Sequence, residues 1–124
     1  MQSILNQFYT LDSFEKDENG LFSAKISLNK DHDIFKGHFP GNPVTPGVCM
    51  IQIVKELTEE FTGKSLFLKS ASNVKFMAII NPFETPDLLV QLQISENDED
   101  VKVKNTTSFG ETIALKMSVN YRKL

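Results

Sequence analysis

Pro46-Gly47-Val48-Cys49-Met50-Ile51-Gln52-Ile53-Val54-Lys55-Glu56-Leu57-Thr58-Glu59-Glu60-Phe61-Thr62-Gly63 is the stretch whose periodicity decides the architecture. Val48, Ile51, Val54 (or Ile53), Leu57 and Phe61 recur every three to four residues, the spacing of one helix face. Gly63 stands where a helix C-terminal glycine belongs, so a helix is predicted over residues 48–61. From Val48 to Val54 the sequence is apolar nearly all round except for Gln52. The first two turns are therefore expected to be buried rather than laid on a surface.

On either side the period changes. Upstream, residues 29–45 lose all periodicity and, with Pro40, Pro43, Pro46, Gly37, Gly41 and Gly47 in or beside them, read as an irregular loop with a largely fixed backbone. Before that loop, residues 8–14 and 21–28 flank Lys16-Asp17-Glu18-Asn19-Gly20. Asn-Gly favours the positive φ angles of a tight hairpin turn. In the second arm Phe22, Ala24, Ile26 and Leu28 alternate with Ser23, Lys25 and Ser27, the pattern of a half-buried strand.

Downstream, residues 65–80 read as one long strand. Residues 88–95 alternate Val90, Leu92 and Ile94 against Gln91, Gln93 and Ser95. Residues 101–109 form a further strand, and the last places Ile113, Leu115, Met117, Val119 and Tyr121 on one face. One buried helix among about six mostly antiparallel strands, with no internal repeat or linker, is an α+β arrangement whose sheet must wrap the helix. The expectation is a single domain over residues 1–124 with a hot-dog fold.

Composition narrows the function classes. A chain of 124 residues buries roughly two-thirds of its unfolded surface, enough for one core. The net charge is -3 and the cations are scattered singly, which argues against nucleic acid as a partner. The first seven residues lack a cationic start followed by an apolar stretch, and no run is long enough to cross a bilayer. A cytoplasmic location without membrane attachment is expected. A single cysteine, Cys49, excludes an internal disulfide, and with two histidines the chain is poor in metal ligands. Neither a metal nor a cofactor is expected.

The loop and helix start, Gly37-His38-Phe39-Pro40-Gly41-Asn42-Pro43-Val44-Thr45-Pro46-Gly47-Val48, closely resemble the signature of the β-hydroxyacyl-acyl carrier protein dehydratases of the FabZ/FabA type. The surrounding order of hairpin, loop, helix and strands extends the resemblance over nearly the whole chain. It implies a hot-dog fold and dehydration, or reverse hydration, of 3-hydroxyacyl thioesters on acyl carrier protein in fatty-acid or related acyl-chain biosynthesis.

The chemistry of the residues agrees. The reaction needs a base for the C2 proton, charge stabilisation on the thioester oxygen, and an acid for the departing hydroxyl. His38 is the candidate base, held by a proline-stiffened loop. Gly47 opens the helix, where backbone N–H groups meet the positive end of the dipole and the missing side chain admits a carbonyl. The resemblance assigns carbonyl polarisation to the N–H of Gly47, with Val48 beside it. Phe39, Val44 and Thr45 complete the substrate-binding set, and Phe76 and Phe83 are further candidates for an acyl tunnel, with a plain core role as the alternative. Cys49 reads as a buried, inert thiol and His32 as a solvated loop residue.

The departure comes at the acid. Fourteen residues after the motif histidine the family carries Glu or Asp, and here stands Gln52. A carboxamide cannot protonate a leaving group, and loss of a general acid costs about 100- to 10,000-fold in rate. Where the family often has Gln, four residues on, this chain has Glu56. The acid and the amide are thus exchanged on one helix face, and a bond between them is expected. Thr45 also replaces a larger apolar residue.

The resemblance further implies a homodimer, or an oligomer of dimers, with the site shared between subunits. An acidic carrier protein would meet a basic rim, for which Lys36, Lys75, Lys116, Arg122 and Lys123 are candidates. Two other readings stand beside the dehydratase. One is a weak or silent subunit that binds acyl thioesters or pairs with an active homologue. The other is an acyl thioesterase, for which no separate nucleophile is evident.

Overall fold

The computed structural model describes residues 7–36 and 44–124. The elements are β1 (Tyr9–Lys16), β2 (Leu21–Leu28), α1 (Asp33–Lys36), α2 (Gly47–Thr62), β3 (Leu66–Phe76), β4 (Asp87–Glu96), β5 (Asp100–Phe109) and β6 (Thr112–Lys123). Six strands form one sheet in the order β1-β2-β4-β5-β6-β3, every neighbour antiparallel. The chain between β2 and β3, which includes α2, therefore runs from one side of the sheet to the far edge. This is the hot-dog arrangement. No helix among the described residues is long and apolar enough to cross a membrane.

Period-two alternation builds the core. Phe22, Ala24, Ile26 and Leu28 of β2 are buried, as are Leu88, Val90 and Leu92 of β4 and Leu115, Met117, Val119 and Tyr121 of β6. Met50, Ile53, Val54 and Leu57 of α2 are buried in the same cluster. Each side chain of this size, fully buried, stabilises by about 1.5–3 kcal/mol. On β5 the inward row continues as Val101, Val103, Asn105 and Thr107. The two polar members are satisfied by bonding. Asn105 Nδ2 donates to Thr107 Oγ1 at 3.2 Å. It also donates to the Gln91 carbonyl at 3.1 Å.

The ends of α2 are fixed differently. At the C-terminus Gly63 takes φ 68°, the left-handed conformation of a helix-ending glycine. Its N–H donates to the Glu59 carbonyl at 2.9 Å. The Glu59 side chain takes the Leu66 N–H at 2.8 Å and pairs with Lys55 at 3.4 Å, which ties the helix to β3. Phe61 stacks on Phe22, centroids 4.5 Å apart, and anchors the last turn to the hairpin. At the N-terminus Pro46 is the N-cap and no side chain caps the first turn.

Several local expectations are corrected. In the β1–β2 turn Gly20 takes a positive φ, 83°, while Asn19 does not. Asp17 organises this loop. Its Oδ1 accepts the N–H of Asn19 at 2.8 Å. The same oxygen accepts the N–H of Leu21 at 3.0 Å, so the connection is longer than a two-residue turn. The strand expected over residues 65–80 ends at Phe76. Asn73 adopts φ 52° and lies within a register shift between β3 and β6. The N–H groups of Met77 and Ala78 then both turn to the Ala114 carbonyl, as irregular pairing at a bulge permits. In β6 a shift between the partners of Thr107 and Ser108 leaves Ala114 as an extra residue, so Ala114 is buried and Ile113 is exposed. Residues 29–36 are not wholly irregular, since α1 lies there. His32 is not a solvated loop residue: its Nδ1 accepts the Ile34 N–H at 3.1 Å and its ring meets Phe8 edge-on.

Candidate active site at the start of the long helix

Uncapped helix termini leave backbone donors without intrahelical partners. At the start of α2 the Cys49 and Met50 N–H groups turn back to the Pro46 carbonyl, at 3.0 and 3.3 Å. Gly47 and Val48 precede them and have no side-chain cap, so their N–H groups sit at the positive end of the helix dipole. Val48 is 75% exposed, against the expectation that the first two turns are buried throughout. The burial runs down one side instead, through Cys49, Met50, Ile53 and Val54, and Val48 falls on the open side.

Gly47 faces the ring of Phe76. A Cβ added at Gly47 would lie 2.8 Å from Phe76 Cζ, closer than real contacts permit. The absent side chain is therefore what lets the Phe76 ring pack against the helix start. Phe76 is 51% exposed and covers the helix start at the surface rather than forming part of the core. Phe83, 57% exposed, is likewise not a core residue. Lys30 lies over its ring at 5.8 Å.

The residues just before the helix turn into the protein. Val44 is half-buried and Thr45 buried. The Thr45 N–H donates to the Ile80 carbonyl at 2.9 Å, while its Oγ1, buried as well, has no hydrogen-bond partner among the described residues. His38 and Phe39 lie outside the described residues. Cys49 is buried and burial pushes its thiol up, as suits an inert core cysteine.

One turn into α2 the exchanged pair is joined. Gln52 Nε2 donates to Glu56 Oε2 at 2.9 Å, as the sequence predicts. A third residue, not expected from the sequence, joins the group: Tyr9 at the start of β1 donates its hydroxyl to Glu56 Oε1 at 3.0 Å. Burial first, then the Glu56 carboxylate, hold the Tyr9 hydroxyl well above the usual phenol range.

The proposed cations are unequal. Lys36 pairs with Asp33 at 3.5 Å and Lys123 with Glu96 at 3.0 Å. Lys75 and Lys116 stand directly opposite each other on β3 and β6, one residue from Phe76. Arg122 lies over the Phe67 ring at 5.2 Å. A concavity of about 360 Å³ lies on the outer side of the sheet, lined by Ser70, Ser72, Ser118 and Lys104 among others. These positions alternate with the buried row, so it is across the sheet from α2 and its polar walls do not suit an acyl chain.

Comparison with known proteins places these features in a family. The ApeI-like family, described as ApeI dehydratase, matches residues 14–115. A 3-hydroxyacyl-[acyl-carrier-protein] dehydratase FabZ of Levilactobacillus brevis is 27% identical over 118 residues, 90% of this chain and 78% of that protein. The FabZ of Enterococcus faecalis is 31% identical over 125 residues, 94% of this chain and 81% of its own. Among solved structures, the dehydratase heterocomplex ApeI:P from Xenorhabdus doucetiae superposes with a TM-score of 0.73 at 20% identity, over 91% of this chain and 96% of that one, which is a likeness of fold. With a family match over residues 14–115 and 31% identity across most of a FabZ, this chain belongs to the ApeI-like dehydratases, among the relatives of FabZ.

Proposed function

We propose that this chain dehydrates 3-hydroxyacyl thioesters carried on acyl carrier protein, or hydrates the 2-enoyl product in reverse. The observation that carries the reading is the uncapped N-terminus of α2, opened by Gly47 at the end of the His38-to-Val48 motif. The N–H groups of Gly47 and Val48 receive the thioester oxygen, and the helix dipole favours the negative charge that develops there. His38 takes the C2 proton. Gln52, backed by Glu56, meets the C3 hydroxyl, while Phe39, Val44 and Thr45 line the way for the acyl chain.

A thioesterase reading is disfavoured by Cys49, a buried thiol whose ionisation burial opposes, leaving it unsuited as a nucleophile.

The unit of function in this reading is two copies of the chain. β3 is an edge strand with Leu66 its one buried residue, and it carries exposed Phe67, Leu68, Val74 and Phe76, followed by Met77 and Ile79. An apolar edge of this kind invites strand pairing. A second copy meeting it would cover the Phe76 ring that packs on Gly47 at the helix start. The purified chain is tested by following loss of a 2-enoyl thioester. His38-dependent hydration supports the proposal. A silent chain that becomes active only with a homologous subunit supports the partner-subunit reading instead.

A further inference from the structure

Three groups meet on α2 and β1 in an order that fixes what Gln52 is able to do. We propose that Tyr9 and Glu56 are positioning residues that lock the Gln52 amide with its NH2 turned inward, leaving its carbonyl oxygen as the group offered to substrate. The inference rests on the proposed dehydratase reading and deepens it, because it assigns position 52 an accepting role where a donating one is expected.

Hydrogen-bond valence decides the orientation. As a carboxylate Glu56 only accepts, and each of its oxygens takes a donor. Oε1 takes the Tyr9 hydroxyl at 3.0 Å and Oε2 the Gln52 amide at 2.9 Å. Gln52 must therefore present nitrogen to Glu56. Nitrogen and oxygen diverge from the same planar carbon, so the Gln52 carbonyl oxygen points away from Glu56. Tyr9 braces the far side of the carboxylate. Without that bond the Glu56 side chain loses a restraint on its rotamer, and the amide loses its reference. The phenol, pushed well above its usual range by burial and Glu56, keeps its proton and remains a donor throughout the working pH.

The chemical consequence is a site without a proton donor at position 52. Gln52 Oε1 accepts the O–H of the substrate's 3-hydroxyl and fixes the orientation of that oxygen. In the forward reaction His38 takes the proton from C2, the C3–O bond breaks with its electron pair leaving on oxygen, and the proton held by His38 passes to that oxygen to give water. Proton and hydroxyl balance with no further reactant. One titrating group then serves both steps, so the pH profile for hydration of the enoyl thioester has one fewer ionisation than that of an acid–base pair.

The test combines kinetics with the side-chain amide signal of Gln52 in 15N-resolved NMR, assigned by its loss in Gln52→Leu. The expected results are a displaced, slowly exchanging amide pair in the wild type that shifts in Tyr9→Phe and collapses in Glu56→Gln. Tyr9→Phe is expected to lower kcat about tenfold with KM and melting temperature little changed, as for a small misplacement of a positioned group. Gln52→Glu is expected to add a second ionisation to the pH profile. An unshifted amide signal and unchanged kcat in Tyr9→Phe overturn the clamp, and so does a wild-type profile already showing two ionisations that Gln52→Glu leaves in place. An inactive wild type with the amide signals behaving as expected removes the dehydratase reading and leaves the clamp standing.

Discussion

Replacing Gly47 by alanine separates the function of the helix start from its stability. The new Cβ would lie 2.8 Å from Phe76 Cζ and 3.2 Å from Cε2, so the ring must move. It is able to do so, because Phe76 is 51% exposed and the clash is with the outer end of the side chain rather than with backbone. Displacing a ring from its preferred rotamer costs about 0.5–1.5 kcal/mol. Gly47 is helical and absent from the positive-φ residues. Alanine there also restricts the unfolded chain, which stabilises by about 0.4–1 kcal/mol. The two nearly cancel, and the melting temperature is expected to move by less than about 4 °C. Activity is another matter. The methyl and the displaced Phe76 ring crowd the Gly47 and Val48 N–H groups that the proposal assigns to the thioester oxygen, and loss of such a donor costs about 100- to 1,000-fold in kcat. The assay is the fall in absorbance of a 2-enoyl thioester on hydration, paired with a thermal melt. A folded Gly47→Ala with activity within about threefold of wild type refutes the placement of the oxyanion at this helix start. A large fall in melting temperature refutes the expectation that Phe76 yields.

Thr45→Val replaces a buried hydroxyl that has no partner among the described residues by a methyl of the same shape. A gain of about 1 kcal/mol by chemical denaturation is expected, and a loss would mean that the hydroxyl is satisfied. Both tyrosines are held above the ordinary phenol value, Tyr9 by burial and then Glu56, Tyr121 by burial foremost. Each raised value stabilises the neutral folded form below the unfolded value of about 10, and that stability is lost as pH climbs through the folded one. In an alkaline titration the phenolate absorbance should thus stay low past pH ~10 and rise together with unfolding, and a tyrosine that titrates near ~10 in the folded protein contradicts this. Sedimentation at micromolar concentration should give a dimer or a multiple of it, and Ile79→Asp or Leu68→Lys, both at exposed positions, should weaken it. A monomeric wild type would remove the shared-site reading.

The architecture is legible in the sequence because alternation and helical periodicity are strong where one face is buried. β2 and β4 match their expected faces, and Gly63 ends α2 as its position implies. What periodicity cannot convey is a bulge. Ala114 slips the phase of β6 by one residue and exposes Ile113, and Asn73 interrupts the regular run of β3, yet neither residue breaks a hydrophobic pattern in the sequence. Val48 is hidden for a related reason: a run apolar all round does not say which side is covered, and its exposure depends on where the sheet stops. The Gln52–Glu56 bond follows from i,i+4 spacing alone. Tyr9 is invisible to spacing, since its partner lies 47 residues away and only the fold of β1 toward α2 brings them together.

The central proposal is that a chain carrying Gln52 in place of the usual acid uses His38 as the base for acyl thioester chemistry. The most direct measurement is the rate of hydration of a short 2-enoyl thioester by purified wild type and by His38→Ala, at matched concentration and with both shown to be folded. Measurable turnover in the wild type and a fall of at least about 100-fold in His38→Ala are the predicted results. Equal rates in the two proteins would contradict the role given to His38.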